Sequence, residues 1–241
     1  MRFQMTPMVK GLLVVHVGVW LLLQVILEGY GGLRMSRHLQ LVPAEVFFEF
    51  SVWQLLTYIF LHSLNIGHLL FNMLTLWLIG TELEERWGKH KFLFFYLATG
   101  IGAGVLYTLG VVLFHLIFGG ERGLVTPVIG ASGAIFGLLL AYAWICGERT
   151  LHFMLMFPMK AKHFVWLLGA VEFLSLLSSG LTGSGVAYLA HLGGLLSGYL
   201  ALLSMGYWSR LNWTTKLRRK NQKLRLVVDN EKDQKTPKYW N

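Results

Sequence analysis

Charged side chains are scarce in this sequence. Only 14% of its 241 residues are Asp, Glu, Lys or Arg, whereas soluble domains carry about 25%. Apolar residues make up 55% of the chain, and its mean hydropathy is +0.55. A soluble fold of this length exposes more charge than the chain has, so we expect most of it to lie in lipid.

Aspartate is almost absent from the sequence, and the only two, Asp229 and Asp233, lie close to the C-terminus. An aspartyl protease of the membrane needs two aspartates within its spans, so this class is excluded. The His-Glu-x-x-His motif of zinc proteases is absent too. A single cysteine, Cys146, cannot form an internal disulfide. We therefore expect neither a metal nor another cofactor.

Six apolar stretches are each long enough to cross a bilayer, which takes about 20 residues. In chain order, these spans cover residues 9–28, 66–83, 92–118, 131–147, 163–181 and 186–208. The segment 35–60 places Arg37, Pro43 and Glu45 among aromatic residues, a composition that favours a loop in the membrane–water interface. The sequence thus predicts an all-α, polytopic membrane protein, a six-helix bundle with an interfacial first outer loop.

Basic residues are distributed unevenly between the two sides of the predicted membrane. The side of the N-terminus carries 18 of the 21 Lys and Arg residues, and the opposite side has only Arg34, Arg37 and Arg122. This asymmetry predicts that both termini are cytoplasmic. We expect a membrane domain over 1–209 and a basic, solvated tail over 210–241, close to anionic headgroups. The distribution argues against nucleic acid as a partner, and the compact form favours a bacterial inner membrane.

Three spans carry polar side chains close to the predicted outer surface. His68 and Asn72 are four residues apart in span 2, and therefore lie on one helix face. Ser132 begins span 4, and His191 lies near the start of span 6. At about 1.5 Å per residue these sites reach similar depths. Polar groups within a membrane are costly and usually indicate function.

Glycine recurs at four-residue spacing in the two spans that carry Ser132 and His191. The pairs are Gly133 and Gly137 in span 4, and Gly194 and Gly198 in span 6. Small residues let membrane helices approach closely. We expect spans 4 and 6 to pack together and to bring Ser132 next to His191.

Three motifs follow one another along the chain. They are His-x-x-x-Asn at 68–72, Gly-x-Ser-Gly at 130–133 and Ala-His-x-x-Gly-x-x-x-Gly at 190–198. In this order, each within a span, they resemble the motifs of the rhomboid family of intramembrane serine proteases. Trp53, the Leu61-His62 step and the segment 84–88 add to the resemblance, which covers about residues 10–205.

The resemblance implies a serine endopeptidase with Ser132 as nucleophile and His191 as general base. It also implies an oxyanion site formed by His68, Asn72 and the backbone N–H of Ser132, and a substrate site lined by Gly130, Gly133 and Phe136. The implied substrates are single-pass membrane proteins, whose helices must unwind near the outer surface before their backbone can be attacked. The implied partners are these substrates and the lipid bilayer; the oligomeric state is not indicated.

Two positions depart from the family pattern. Gln54 follows Trp53 where arginine is frequent, and Phe136 stands where many members have tyrosine.

A third position bears on the base. Glu172 is the one acid well inside a span, and its place in span 5 puts it nearer to mid-membrane than His191. We therefore expect a Ser–His dyad without a third, acidic member.

Two other functions are compatible with the same residues. One is a transporter or proton channel that uses His68, His191 and Glu172 as a relay. Such proteins often have internal repeats or helices broken at the midplane, and the sequence has no clear repeat. The other is an inactive rhomboid-like protein that binds membrane helices without cutting them. Inactive members typically lack the serine or the histidine, and this chain has both.

Overall fold

The computed structural model describes residues 4–153, 157–180 and 185–223. The helices of this part are α1 Pro7–Tyr30, α2 Pro43–Phe48, α3 Gln54–Thr57, α4 Ile66–Trp87, α5 Lys89–Phe118, α6 Arg122–Val125, α7 Ser132–Cys146, α8 Ala161–Ser179 and α9 Gly185–Lys223. Helix α1 is π-wound over Val19–Tyr30, α4 is π-wound over Leu76–Gly80, and short 3-10 turns lie at Met35–His38 and Tyr58–Phe60. The predicted all-α membrane fold is confirmed, with one addition. Strands β1 Thr150–Phe153 and β2 Phe157–Lys160 form an antiparallel hairpin that pairs Thr150 with Lys160.

The predicted spans coincide with the six long helices. Within the described residues, α1, α4, α5, α8 and the Ala187–Gly206 part of α9 are long and apolar enough to cross a membrane. Helix α7 is apolar but has only 15 residues, so a count of six spans stays a prediction. Ten of those 15 residues are buried. Helix α7 therefore lies inside the bundle, with other helices around it.

Close helix packing around α7 is made possible by glycine. A Cβ added at Gly194 of α9 would lie 2.2 Å from the backbone oxygen of Gly133, and one at Gly198 would lie 2.8 Å from the Cα of Gly137. On the other side of α7, a Cβ at Gly133 would lie 2.7 Å from Ala103 of α5. These distances leave no room for a side chain, which confirms the predicted packing of spans 4 and 6.

The N-terminus of α1 is capped by a carboxylate from a different helix. Glu84, near the end of α4, accepts hydrogen bonds from the backbone N–H of Met8 at 3.0 Å and of Val9 at 2.9 Å. The Thr6 hydroxyl donates to the same side chain at 2.5 Å. The first turn of a helix has N–H groups without helical partners, and Glu84 satisfies two of them while it is almost fully buried.

The first outer loop is tied together by Gln54, whose side chain is fully buried. Its Oε1 accepts from the backbone N–H of Val42 at 3.0 Å, and its Nε2 donates to Glu45 at 2.5 Å. Leu41 and Val128 form an isolated antiparallel bridge, which joins this loop to the segment before α7. Exposed aromatic side chains in the loop, at Phe47, Phe48, Phe50 and Trp53, agree with an interfacial position.

The ends of the helices on the predicted cytoplasmic side carry ion pairs. Glu82 pairs with Arg86 and Arg149, and Glu148 pairs with Lys160 and Lys162. Hydrogen bonds from these two lysines lower the pKa of Glu148 to about 2. The pairs link the end of α4 and the start of α8 to the turn and hairpin that follow α7.

The contacts divide the chain into two units, Met1–Leu203 and Ser204–Asn241. Residues 210–223 of the predicted basic tail are helical, and 224–241 lie outside the described residues. The predicted boundary at 209 and 210 therefore stays a prediction.

Candidate active site

Ser132 is the first residue of α7, and the loop before it has a conformation that requires glycine. Gly130 has φ +126°, in the region that favours glycine. A Cβ at this position would lie 2.9 Å from His68 Nε2. The N–H of Gly130 donates to the backbone oxygen of Tyr58 at 2.9 Å. The loop is thus held in place while its backbone lies directly against the imidazole of His68.

The structure brings Ser132 and His191 into hydrogen-bonding contact, as the glycine spacing predicts. Ser132 Oγ lies 2.9 Å from His191 Nε2. Both side chains are partly exposed, whereas the adjacent Ala131, Gly133 and Ala190 are buried. The pair is therefore partly accessible, and buried residues flank it in both helices.

Phe136 packs on the face of the His191 ring. The two ring centroids are 4.3 Å apart, and the ring planes differ by only 11°. Phe136 lies one turn after Ser132 on α7, so one helix supplies both the hydroxyl and the stacking ring. Only 8% of Phe136 is exposed, so its ring is held by its neighbours and supports the imidazole of His191 that stacks on it. Gly130 and Gly133 are buried too, and a substrate contact for these three residues stays a prediction.

A carboxylate lies on the second nitrogen of His191, contrary to expectation. Glu172 Oε2, from α8, is 2.9 Å from His191 Nδ1. Glu172 does not lie deeper than His191, where the sequence predicts it to be, and the reason lies in the helix ends. Helix α8 ends at Ser179 and α9 begins at Gly185, which puts both side chains about 10 Å from these ends. The hydropathy pattern puts the end of span 5 at 181 and the start of span 6 at 186. These bounds predict a position for Glu172 that is too deep relative to His191. The Ser–His dyad itself stays a prediction.

The tautomer of His68 is set by its partner. The backbone N–H of Ser63 donates to His68 Nδ1 at 3.4 Å, and the Ser63 hydroxyl lies 3.1 Å from the same nitrogen. A backbone N–H can only donate, so Nδ1 accepts and the neutral ring carries its proton on Nε2. That nitrogen lies against Gly130. His68 therefore presents a hydrogen-bond donor to the loop that carries Ser132.

Asn72 is buried, and its side chain is engaged within its own helix. Its Nδ2 donates to the backbone oxygen of His68 at 2.8 Å. An amide nitrogen has two N–H groups, so one donor of Asn72 remains for another acceptor. Its part in the oxyanion site stays a prediction. Within the described residues, no group of three or more His, Cys, Asp or Glu side chains is placed to hold a metal ion.

Comparisons with known proteins agree on one family. The family model described as the Rhomboid domain matches residues 49–208. The chain is 33% identical over 157 residues to rhomboid protease GluP of Bacillus subtilis, a match that covers 64% of this chain and 26% of that protein. It is 25% identical over 215 residues to rhomboid protease GlpG of Yersinia enterocolitica, covering 88% and 66%. The RHOMBOID-like protein 1 of Arabidopsis thaliana is 31% identical over 175 residues, covering 72% and 40%. The matches thus span between a quarter and two thirds of these relatives' lengths.

Proposed function

This chain belongs to the rhomboid family, and from that premise we propose that it is a serine endopeptidase that cuts membrane-helix substrates within the bilayer. Ser132 is the nucleophile and His191 is the general base. The observation that carries the proposal is the 2.9 Å contact between Ser132 Oγ and His191 Nε2. Serine is a weak nucleophile unless a base removes its proton, and the contact supports His191 as that base.

The steps of peptide hydrolysis follow from the contact between Ser132 and His191. Ser132 Oγ bonds to the carbonyl carbon of the scissile peptide while its proton moves to His191 Nε2. The tetrahedral intermediate then collapses, the C–N bond breaks, and His191 returns the proton to the leaving amine. Water, deprotonated by the same histidine, attacks the acyl-enzyme ester. A second collapse releases the carboxyl product and restores the proton to Ser132.

The negative charge of the tetrahedral intermediate forms where donors are available. His68 offers its Nε2–H beside Gly130, and the backbone N–H of Ser132 belongs to the first turn of α7, where amides lack helical partners. The positive end of the α7 dipole adds to the stabilisation. The free N–H of Asn72 is the third candidate. Preorganised donors of this kind typically contribute about 3–4 kcal/mol each.

The substrates are single-pass membrane proteins, cut close to the outer face. Backbone paired in a helix is not available for attack, so residues that weaken the helix favour cleavage. The excess of Lys and Arg on the side of the N-terminus supports cytoplasmic termini. The compact six-span form favours a bacterial inner membrane.

Cleavage of a model transmembrane substrate in proteoliposomes tests the proposal. Ser132→Ala is expected to abolish cleavage and labelling by a fluorophosphonate or isocoumarin probe, because the attacking oxygen is gone. His191→Ala is expected to abolish both as well. Ser178→Ala, at an exposed serine of α8, is the matched control and keeps both activities.

Two outcomes contradict the proposal. Cleavage by folded Ser132→Ala at the wild-type rate means that another group is the nucleophile. A folded wild-type protein that neither cleaves nor reacts with the probes supports the inactive, helix-binding alternative.

A further inference from the structure

We propose that Glu172 is a positioning residue that turns the Ser132–His191 pair into a Ser132–His191–Glu172 triad. The inference rests on the proposed function. It extends that function, because the Ser–His dyad expected from the sequence contains no acid. Its basis is that both ring nitrogens of His191 have a partner at the same distance: Ser132 Oγ at 2.9 Å from Nε2, and Glu172 Oε2 at 2.9 Å from Nδ1.

The carboxylate decides which nitrogen of His191 carries the proton. An ionised carboxylate can only accept hydrogen bonds, so the neutral imidazole must place its proton on Nδ1 when Glu172 is its partner. The lone pair on Nε2 then faces Ser132 Oγ. This is the tautomer that a general base needs, because the opposite tautomer presents an N–H to the serine and cannot accept its proton.

The carboxylate also stabilises the charge that appears during the reaction. When Ser132 attacks, His191 becomes an imidazolium with N–H groups on both nitrogens. Glu172 then forms an ion pair with it at 2.9 Å, in a site where only 11% of the glutamate side chain is exposed. Weak screening by water strengthens this attraction. The contact is therefore stronger in the transition state than in the resting enzyme, which is the condition for accelerating the reaction.

The three partners of His191 come from two helices and restrain different motions of the ring. Phe136 of α7 covers its face, Ser132 of α7 lies on one edge, and Glu172 of α8 lies on the other. Rotation of the ring about its bond to Cβ would break both edge contacts together. Helix α8 thereby contributes to the orientation of the base, although none of its residues matches the motifs that identify the nucleophile and the base.

A carboxylate within a membrane span has a cost, which makes a purely incidental position unfavourable. Ionised groups in such spans are rare and usually pair with a partner near a functional site. Glu172 is buried on the inner face of α8, and its neighbours Val171, Phe173 and Leu174 are exposed apolar residues. The helix thus directs its acid towards His191 and its apolar residues outwards.

The test measures kcat and KM separately, with the active enzyme counted by titration with a fluorophosphonate probe. Glu172→Gln keeps the shape of the side chain and removes its charge. It is expected to lower kcat per titrated site about 10- to 100-fold, a part of the 10²–10⁴ typical of general acid–base catalysis, and to leave KM within about twofold. Glu172→Asp keeps the charge on a shorter side chain and is expected to be affected less. Glu85→Gln, at an exposed position, is the matched control and keeps wild-type kinetics.

A spectroscopic readout addresses the tautomer directly. In protein with ¹⁵N-labelled imidazoles, His191 signals are identified by their loss in His191→Asn. We expect wild-type His191 to be protonated on Nδ1 and bare on Nε2 in the neutral form. In Glu172→Gln the amide can donate to Nδ1 as well as accept from it, so a mixture of both tautomers is expected.

The outcomes separate this inference from the proposed function. If Ser132→Ala is inactive and Glu172→Gln keeps kcat per titrated site within twofold, the triad is wrong and the protease assignment stands. If fewer molecules of Glu172→Gln react with the probe but each reactive site keeps the wild-type kcat, Glu172 has a structural role and the triad is again wrong. Glu172→Leu suits a membrane helix and serves if the glutamine variant fails to fold; a wild-type kcat in that variant also overturns the triad. Cleavage by Ser132→Ala overturns both proposals.

Discussion

Gln54 performs with a neutral amide a task for which many relatives are expected to use arginine. Its two ends bridge the backbone N–H at the start of α2 and the side chain of Glu45 within it. Such a side chain is suited to a fully buried position, because an amide offers both a donor and an acceptor without the cost of burying a charge. We therefore expect Gln54 to stabilise the outer loop in spite of the departure from the family pattern.

Gln54→Leu is expected to lower the free energy of unfolding by about 1–3 kcal/mol, since the buried N–H of Val42 and the partly buried Glu45 carboxylate each lose a partner. Thermal unfolding in detergent measures the change. Gln4→Leu, at an exposed position, is the control and leaves the midpoint unchanged. Equal midpoints for both variants would mean that the bridge does not stabilise the loop.

Sequence motifs predict those residues of the candidate site that can be recognised by their type and spacing. Ser132, His191 and His68 each follow from a motif, and the structure brings them together. The contact of Glu172 with His191 does not follow, because it depends on where two helices end. An error of one or two residues at each end changes the relative depth by several ångströms, which is as large as the contact itself. The Ser63 partner that sets the tautomer of His68 belongs to no motif.

At the scale of elements, α1 depends on α4 for its N-terminal cap. Glu84→Gln is expected to destabilise the protein by about 1–2 kcal/mol, because the neutral amide loses the attraction of a carboxylate to the positive end of a helix. Unfolding in mixed micelles of increasing SDS content provides the measurement. The adjacent Glu85→Gln changes the same charge at an exposed position, and a loss as large in that variant would show that net charge matters and capping does not.

The helices themselves follow from the sequence more closely than their ends do. Each predicted span lies on a helix, because a run of apolar residues in lipid must satisfy its backbone internally. Hydropathy marks where lipid ends, and a helix can continue beyond that point. Helix α9 illustrates this, since the predicted span ends at 208 and the helix at Lys223. The hairpin after α7 lies outside the spans and has no hydropathy signal.

Across the full chain, the distribution of basic residues predicts its orientation in the membrane. In a Cys146→Ser background, Glu121→Cys is expected to react with a membrane-impermeant maleimide in intact spheroplasts. Lys89→Cys is expected to react only after permeabilisation. Both native side chains are exposed, so accessibility depends on the side of the membrane. The reverse labelling pattern would place the termini outside and would contradict the charge rule.

Under the proposed function, the length of α7 sets the distance that a substrate must cover to reach Ser132. Its 15 residues extend about 22 Å, whereas the hydrocarbon core measures about 30 Å. If the end at Cys146 lies level with the inner boundary, Ser132 lies about 8 Å below the outer one. An extended chain advances about 3.3 Å per residue, so two or three unwound residues of substrate reach the serine from the outer boundary. Under the proposed function, the length of α7 therefore predicts how far from the outer boundary the cut peptide bond lies.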